Sequence, residues 1–102
     1  MIRVSVLYAN NPGSKFDHDY YANSHLPMVR GKLGSAVIDS GIDTGIGSAA
    51  PGAPAPFVSI GWLTFNSLED FQGAFESHLE EIMADIPQFT DIQPQFQISE
   101  IA

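Results

Sequence analysis

Hydrophobic and polar positions alternate along several stretches of the chain, and a period of two is typical of β-strands. Strands are predicted over residues 2–9, 36–46, 57–65 and 92–101. The second is interrupted by Gly41 and Gly45, whereas the third is the most strongly apolar. The stretch between the second and third strands, residues 47–56, is rich in Gly, Ala and Pro, so it is predicted to be a flexible hairpin connection.

The segments between some of these strands have apolar residues at helical spacing. A first helix is predicted from Phe16 or Asp17, and Pro27 disfavours helical geometry at Leu26, so we expect a kink or an end there. A second helix is predicted after Ser67, whose hydroxyl is a good N-cap with Asp70 three positions later. The apolar positions expected to face the core of this helix are Leu68, Phe71, Ala74, Phe75 and Leu79.

The predicted order is therefore β-α-β-β-α-β, in one domain spanning residues 1–102. Two β-α-β halves with helices on one face of a four-stranded antiparallel sheet give an α+β, ferredoxin-like fold.

The third strand is apolar on both of its faces, which predicts a homodimer. Alternation places Phe57, Leu63 and Phe65 on one face and Val58, Ile60 and Trp62 on the other. Two helices cover only one face of a sheet, and an uncovered apolar face usually marks a partner surface. We expect a second copy of the chain to cover it by two-fold pairing.

The net charge and the composition exclude several classes of binding partner. The net charge is −8 and only four residues are basic, so the chain lacks the basic patch that nucleic acids or anionic membranes require. No apolar run approaches the roughly 20 residues of a membrane span. The absence of cysteine excludes disulfides, thiolate ligands and a cysteine nucleophile, and fits a reducing compartment. We expect a cytoplasmic protein.

One helix carries the candidate chemistry. Asp17, Tyr21 and His25 are spaced four apart, so a carboxylate, a phenol and an imidazole project to one side. His25 is the natural acid or base, because the ordinary pKa of histidine lies near neutrality. The alternative is structural: His25 caps the kink at Pro27, and Tyr21 is an ordinary core residue.

No metal or cofactor site is predicted. His18 and His25 are seven residues apart, about 10.5 Å along a helix, which a single zinc ion cannot bridge. The glycines form neither a dinucleotide-binding fingerprint nor a phosphate-binding loop.

The segment of residues 16–27, F-x-x-x-Y-Y-x-x-x-H-x-P, resembles the EthD family, named for proteins linked to ethyl tert-butyl ether degradation. The resemblance continues through residues 65–71 and 85–94. It implies a ferredoxin-like subunit whose sheet packs on its twin as a dimeric α/β barrel, with an oxidoreductase or catabolic accessory role. The family's histidine falls on His25 and its aromatic pair on Tyr20 and Tyr21.

We therefore hypothesise a cofactor-independent enzyme acting on a small apolar or aromatic metabolite, by acid/base chemistry or by oxidation with molecular oxygen. His25, Tyr21 and Asp17 are the candidate catalytic residues. The candidate substrate-binding residues are Tyr20, Tyr8 and Trp62. The alternatives are a non-catalytic carrier of small molecules and an accessory subunit of an oxygenase system.

Overall fold

The computed structural model describes residues 1–102 and contains one four-stranded sheet. Its strands are β1 (Ile2–Ala9), β2 (Asp39–Thr44), β3 (Phe57–Phe65) and β4 (Gln95–Glu100). The strand order is β2-β3-β1-β4, and every neighbouring pair is antiparallel. The predicted α+β, ferredoxin-like fold is confirmed.

The first helical segment runs continuously through α1 (His18–Tyr20), a π-helical turn (Tyr21–His25) and α2 (Leu26–Leu33). Pro27 does not end it. A proline has no N–H to donate to the carbonyl four residues back, and the helix accommodates it by widening. The N–H of Leu26 donates to the carbonyl of Tyr21, five residues back.

The second helical segment consists of α3 (Leu68–Glu76), α4 (Leu79–Asp85) and a 3₁₀ turn (Ile86–Gln88). The predicted cap is present, since the Ser67 hydroxyl accepts from the N–H of Asp70 at 3.1 Å. Two predicted core positions are wrong: Leu68 and Leu79, each the first residue of its helix, are exposed. None of the helices is both long and apolar enough to span a bilayer.

Two strands are shorter than predicted. A 3₁₀ turn (Gly34–Ala36) occupies the predicted start of the second strand. The last strand begins at Gln95 rather than at residue 92, because the N–H of Ile92 donates to the Thr90 hydroxyl at 3.0 Å and turns the chain before the sheet. Ile92 is nevertheless buried in the core.

Helices cover one face of the sheet and form two core clusters. The first consists of Val4, Val29, Leu33, Val37, Leu63, Phe65, Phe71 and Ile82. The second is mostly aromatic and consists of Tyr8, Tyr21, Ile86, Phe89 and Ile92. The second cluster surrounds the site described below.

The opposite face of the sheet has no helical cover. Ile60 and Trp62 lie half-buried on it, as predicted from strand alternation. Val58 instead packs against the second cluster, because the pairing shifts at a bulge next to Ala9. The Arg3 guanidinium lies 4.6 Å from the centre of the Trp62 ring.

Candidate functional site

The π-helical turn places Tyr21 and His25 side by side in the second cluster. Their rings stack with centroids 5.7 Å apart and planes inclined by 19°. Both side chains are buried, and only 5% of the His25 surface is exposed. Phe89 lies against the imidazole with a centroid separation of 4.7 Å. A histidine thus stands in an apolar, aromatic environment at the end of a π-helical turn, and such turns are frequent at functional sites.

Asp85, the last residue of α4, holds one nitrogen of this imidazole. His25 Nδ1 lies 2.8 Å from Asp85 Oδ2, and the Tyr20 hydroxyl donates to Asp85 Oδ1 at 2.8 Å. An ionised carboxylate only accepts hydrogen bonds, so Nδ1 carries the hydrogen. The lone pair of the imidazole is therefore on Nε2, which no other group of the chain binds.

A cavity of about 40 Å³ adjoins His25. Thirteen of its 15 lining residues are hydrophobic, and they include Tyr8, Tyr21, Val6 and Phe96. The volume is well below the ~300–1,000 Å³ of pockets that enclose a whole drug-sized ligand. Only a small group of a ligand fits directly beside the imidazole.

Burial controls the proton affinities of the site. Burial lowers the pKa of His25 below its ordinary value, and the Asp85 carboxylate opposes that effect without overcoming it. The imidazole is therefore neutral at neutral pH and able to accept a proton. Burial raises the pKa of Tyr21 to about 12, and burial likewise raises the pKa of Tyr8. Both phenols stay protonated and remain hydrogen-bond donors.

Gly61 in β3 makes room for Tyr21. A Cβ at residue 61 would collide with the Tyr21 hydroxyl. Tyr21 can therefore occupy its observed position only because residue 61 has no side chain. Tyr8, from the neighbouring strand, packs its ring edge-on against Tyr21 with centroids 5.4 Å apart. Sheet and helix together fix the tyrosine beside His25.

The structure brings together His25, Tyr21 and Tyr8 from the predicted set, all at the wall of the cavity. Tyr20 does not line the cavity; its hydroxyl binds Asp85 instead, and this hydrogen bond raises the pKa of Tyr20. Of the two adjacent tyrosines, Tyr21 is therefore the one that faces the cavity.

Asp17 and Trp62 differ in their relation to the cavity: Asp17 does not line it, whereas Trp62 does. Asp17 is an exposed N-cap whose Oδ1 accepts from the N–H of Tyr20 at 3.0 Å. Trp62 contributes to the cavity wall, but its indole packs against Gly41 and Arg3 on the uncovered sheet face. Histidines and carboxylates do not gather anywhere in groups of three or more that could hold a metal ion.

Sequence reasoning missed Asp85, Gly61 and Phe89. Asp85 begins one of the segments that carry the family resemblance, but it lies 60 residues from His25. No local spacing rule pairs residues at that distance, since only the folded sheet brings α4 beside the first helical segment. A strand glycine among large apolar neighbours was the available signal for Gly61.

Comparison with protein families decides the assignment, because the model described as the EthD domain matches residues 14–93. The chain belongs to the EthD family. The matched range of this EthD domain includes His25, Tyr20, Tyr21 and Asp85, whereas Tyr8 and Phe96 lie outside it.

Solved structures agree with the EthD assignment. An EthD-like protein from Ralstonia eutropha JMP134 is 42% identical, with a TM-score of 0.95 over 99% of this chain and 91% of that chain. An EthD family protein from Bacillus halodurans C-125 is 20% identical, with a TM-score of 0.78 over 100% of this chain and 99% of that one. HapK from Hahella chejuensis shares the fold at 11% identity and a TM-score of 0.58, over 98% and 92% of the two chains. The search of curated proteins gives no match.

Proposed function

We propose that this EthD protein is an acid/base enzyme that acts on a small apolar or aromatic metabolite, with neutral His25 as the general base. One observation carries the proposal: a buried histidine, held at Nδ1 by a carboxylate, stands at the wall of an apolar cavity. This combination is typical of catalytic histidines, where the carboxylate sets the tautomer and the orientation of the ring.

The chain's own residues divide the work as follows. His25 Nε2 takes a proton from the ligand, and the resulting imidazolium is stabilised by Asp85 at 2.8 Å from Nδ1. Tyr20 is a positioning residue, since its hydroxyl holds the second oxygen of Asp85. Tyr21 stays protonated at neutral pH and supplies a hydroxyl that orients the ligand.

Deuterium exchange into small aromatic ketones tests this proposal. Acetophenone, phenylacetone and 2-tetralone are incubated with the protein in D₂O, and the loss of their α-proton signals is followed by NMR. We expect exchange by the wild type and a loss of about 10²-fold or more in His25→Gln, the usual contribution of general acid–base catalysis. Asp85→Asn should also lower the exchange rate, because the amide no longer fixes the tautomer that leaves the lone pair on Nε2.

His18→Gln is the matched control, because His18 is an exposed histidine of the same helical segment. It should exchange at the wild-type rate. Ketones that bind without exchange in the wild type, or exchange that survives His25→Gln, would contradict the enzyme and favour the carrier. Oxygen consumption in the same samples tells whether proton removal is followed by oxidation with molecular oxygen.

We further propose that two copies pair through the uncovered sheet face, as a dimeric α/β barrel. Ile60 and Trp62 leave apolar surface on this face, which water would otherwise contact. Arg3 also favours pairing, since its Nε is buried without a hydrogen-bond partner in a single copy. Asp39 and Asp43 lie on the same face, so two-fold pairing would bring carboxylates of the second copy towards the Arg3 guanidinium.

A further inference from the structure

An apolar groove runs beside the His25 cavity, between the helices and the edge strand β4. Its volume is about 240 Å³, and all seven of its lining residues are hydrophobic. Leu79 and Met83 of α4 form one wall, and Phe96 and Ile98 of β4 form the other. The two α4 residues are four apart, so they lie on one face of the helix.

These four side chains are large, apolar and unusually exposed. The exposed fractions are 43% for Leu79, 37% for Met83, 47% for Phe96 and 49% for Ile98. Single exposed hydrophobic residues are common, but a contiguous set that lines one concave surface generally marks a binding site.

The groove adjoins the site already described. Val4, Phe71, Phe75 and Phe96 line both the groove and the cavity that holds His25. The cavity next to the imidazole is about 40 Å³, so a ligand that reaches Nε2 must place its remaining atoms elsewhere. The adjoining groove, with its larger volume and wholly apolar walls, offers apolar space for those atoms.

The groove is separate from the surface proposed for pairing. Phe96 is paired with Val6 and Ile98 with Val4, so both side chains belong to the helix-covered face of the sheet. The alternate residues of β4, Gln95 and Gln97, belong to the uncovered face. A second copy seated on the uncovered face leaves the groove open.

The residues that line the groove and the cavity also limit the charge of the ligand group that reaches His25. Neither space is lined by a lysine or an arginine, so no cation is present to balance a carboxylate or a phosphate. A neutral head with an acidic hydrogen, such as a phenol or an enolisable ketone, matches a neutral base in an apolar wall.

We propose that the groove binds the alkyl chain of an amphiphilic substrate whose uncharged acidic head reaches His25. This assignment rests on the proposed function, because the head group is placed by the general base. It names the substrate class as alkyl-substituted phenols or ketones, and it makes Leu79, Met83 and Ile98 determinants of chain length.

A series of 4-alkylphenols from methyl to hexyl tests the assignment by isothermal titration calorimetry, with ¹⁵N NMR of the His25 ring as the site reporter. We expect the affinity of the wild type to rise about four-fold per methylene, which corresponds to the transfer free energy of a buried CH₂. In the double variant Leu79→Gln, Met83→Gln the gain per methylene should fall below two-fold, while 4-methylphenol binds as before. Leu68→Gln is the control, because Leu68 is equally exposed at 42% but does not line the groove.

Each contrary result has a defined meaning. A chain-length dependence that is unchanged in the double variant overturns the groove as the chain site, while leaving His25 as the base. Sedimentation gives a second test. If the wild type is a dimer and the double variant is a monomer, the groove binds a second copy, and the proposal that it binds an alkyl chain is overturned. If 4-methylphenol binds without shifting the His25 nitrogens, the proposed function fails, whatever the longer phenols show. No binding of any phenol contradicts both proposals.

Discussion

At the scale of single residues, the properties of His25 follow from burial opposed by one carboxylate. The apolar walls disfavour the charged imidazolium more than Asp85 favours it, so the pKa of His25 falls below 6.5. A carboxylate beside a histidine would by itself suggest the opposite shift. Comparing the two effects therefore decides that the residue is a base rather than a resident cation at neutral pH.

This shift predicts how the free energy of unfolding depends on pH. Because the pKa of His25 is lowered in the fold, the unfolded chain takes up the proton first as the pH falls below about 6.5. We expect stability to decrease as the pH is lowered from 7.5 through 6.5 towards the pKa of the folded form. Urea unfolding at half-unit steps measures it, and His25→Gln should flatten the slope whereas His18→Gln should not. A stability that rises on acidification over this range would contradict the burial argument.

Gly61 gives a second prediction at this scale. Gly61→Ala should destabilise the chain by about 1–3 kcal/mol, because the new Cβ meets the Tyr21 hydroxyl and the phenol has to move. Thermal unfolding measures the change. Gly31→Ala in α2, where nothing lies within 4 Å of the new Cβ, should instead be neutral or stabilising by about 1 kcal/mol. Adding Tyr21→Phe to Gly61→Ala should restore part of the loss, since the ring carbon that carries the hydroxyl also lies 3.1 Å from the new Cβ. No recovery at all would show that the hydroxyl is not the obstacle.

At the scale of elements, the helix cap was predicted correctly from neighbouring residues, whereas the spacing along the first helical segment predicted its side-chain contacts only in part. Ser67 caps α3 as predicted, because capping depends on residues three positions apart. The spacing of four in Asp17, Tyr21 and His25 predicted one continuous row. The π-helical turn keeps Tyr21 against His25, but Asp17 caps the helix end instead of joining them. A proline is visible in the sequence, whereas the widened turn that accommodates it depends on the packing around it.

The Ser67 cap is testable on its own. Ser67→Ala should lower the free energy of unfolding by about 1 kcal/mol, because the N–H of Asp70 loses its acceptor at the first turn of α3. Ser77→Ala, at the other end of the same helix, removes an exposed hydroxyl that makes no hydrogen bond and should change stability by less than about 0.5 kcal/mol. Equal effects of the two substitutions in chemical denaturation would argue against a capping contribution.

At the scale of the whole molecule, the order of elements could be predicted because period-two and helical patterns alternate clearly along this chain. The pairing of His25 with Asp85 could not, since it depends on how the two β-α-β halves pack together. The position of Trp62 is an intermediate case: strand alternation placed its indole on the uncovered face, and Trp62 nevertheless lines the same cavity as Tyr8.

The pairing of two copies is tested at this scale. Ile60→Asp should shift the sedimenting species from twice 11.0 kDa to 11.0 kDa, because pairing would then desolvate a carboxylate placed opposite Asp43 of the same sheet. Ile46→Asp is the control, as Ile46 is 99% exposed in the β2–β3 connection, outside the sheet. A wild-type chain that sediments as a monomer, or an Ile60→Asp variant that remains dimeric, would contradict pairing through this face.

The link between His25 and Asp85 also bears on how the protein is made. The histidine belongs to the first β-α-β half and its carboxylate to the second, 60 residues later. At typical rates of ~5–20 residues per second, synthesis adds Asp85 several seconds after His25. Until then His25 has neither its orienting carboxylate nor its closed apolar wall. The buried, oriented imidazole therefore forms only after the second half has been made, and a chain that stops before Asp85 does not contain it.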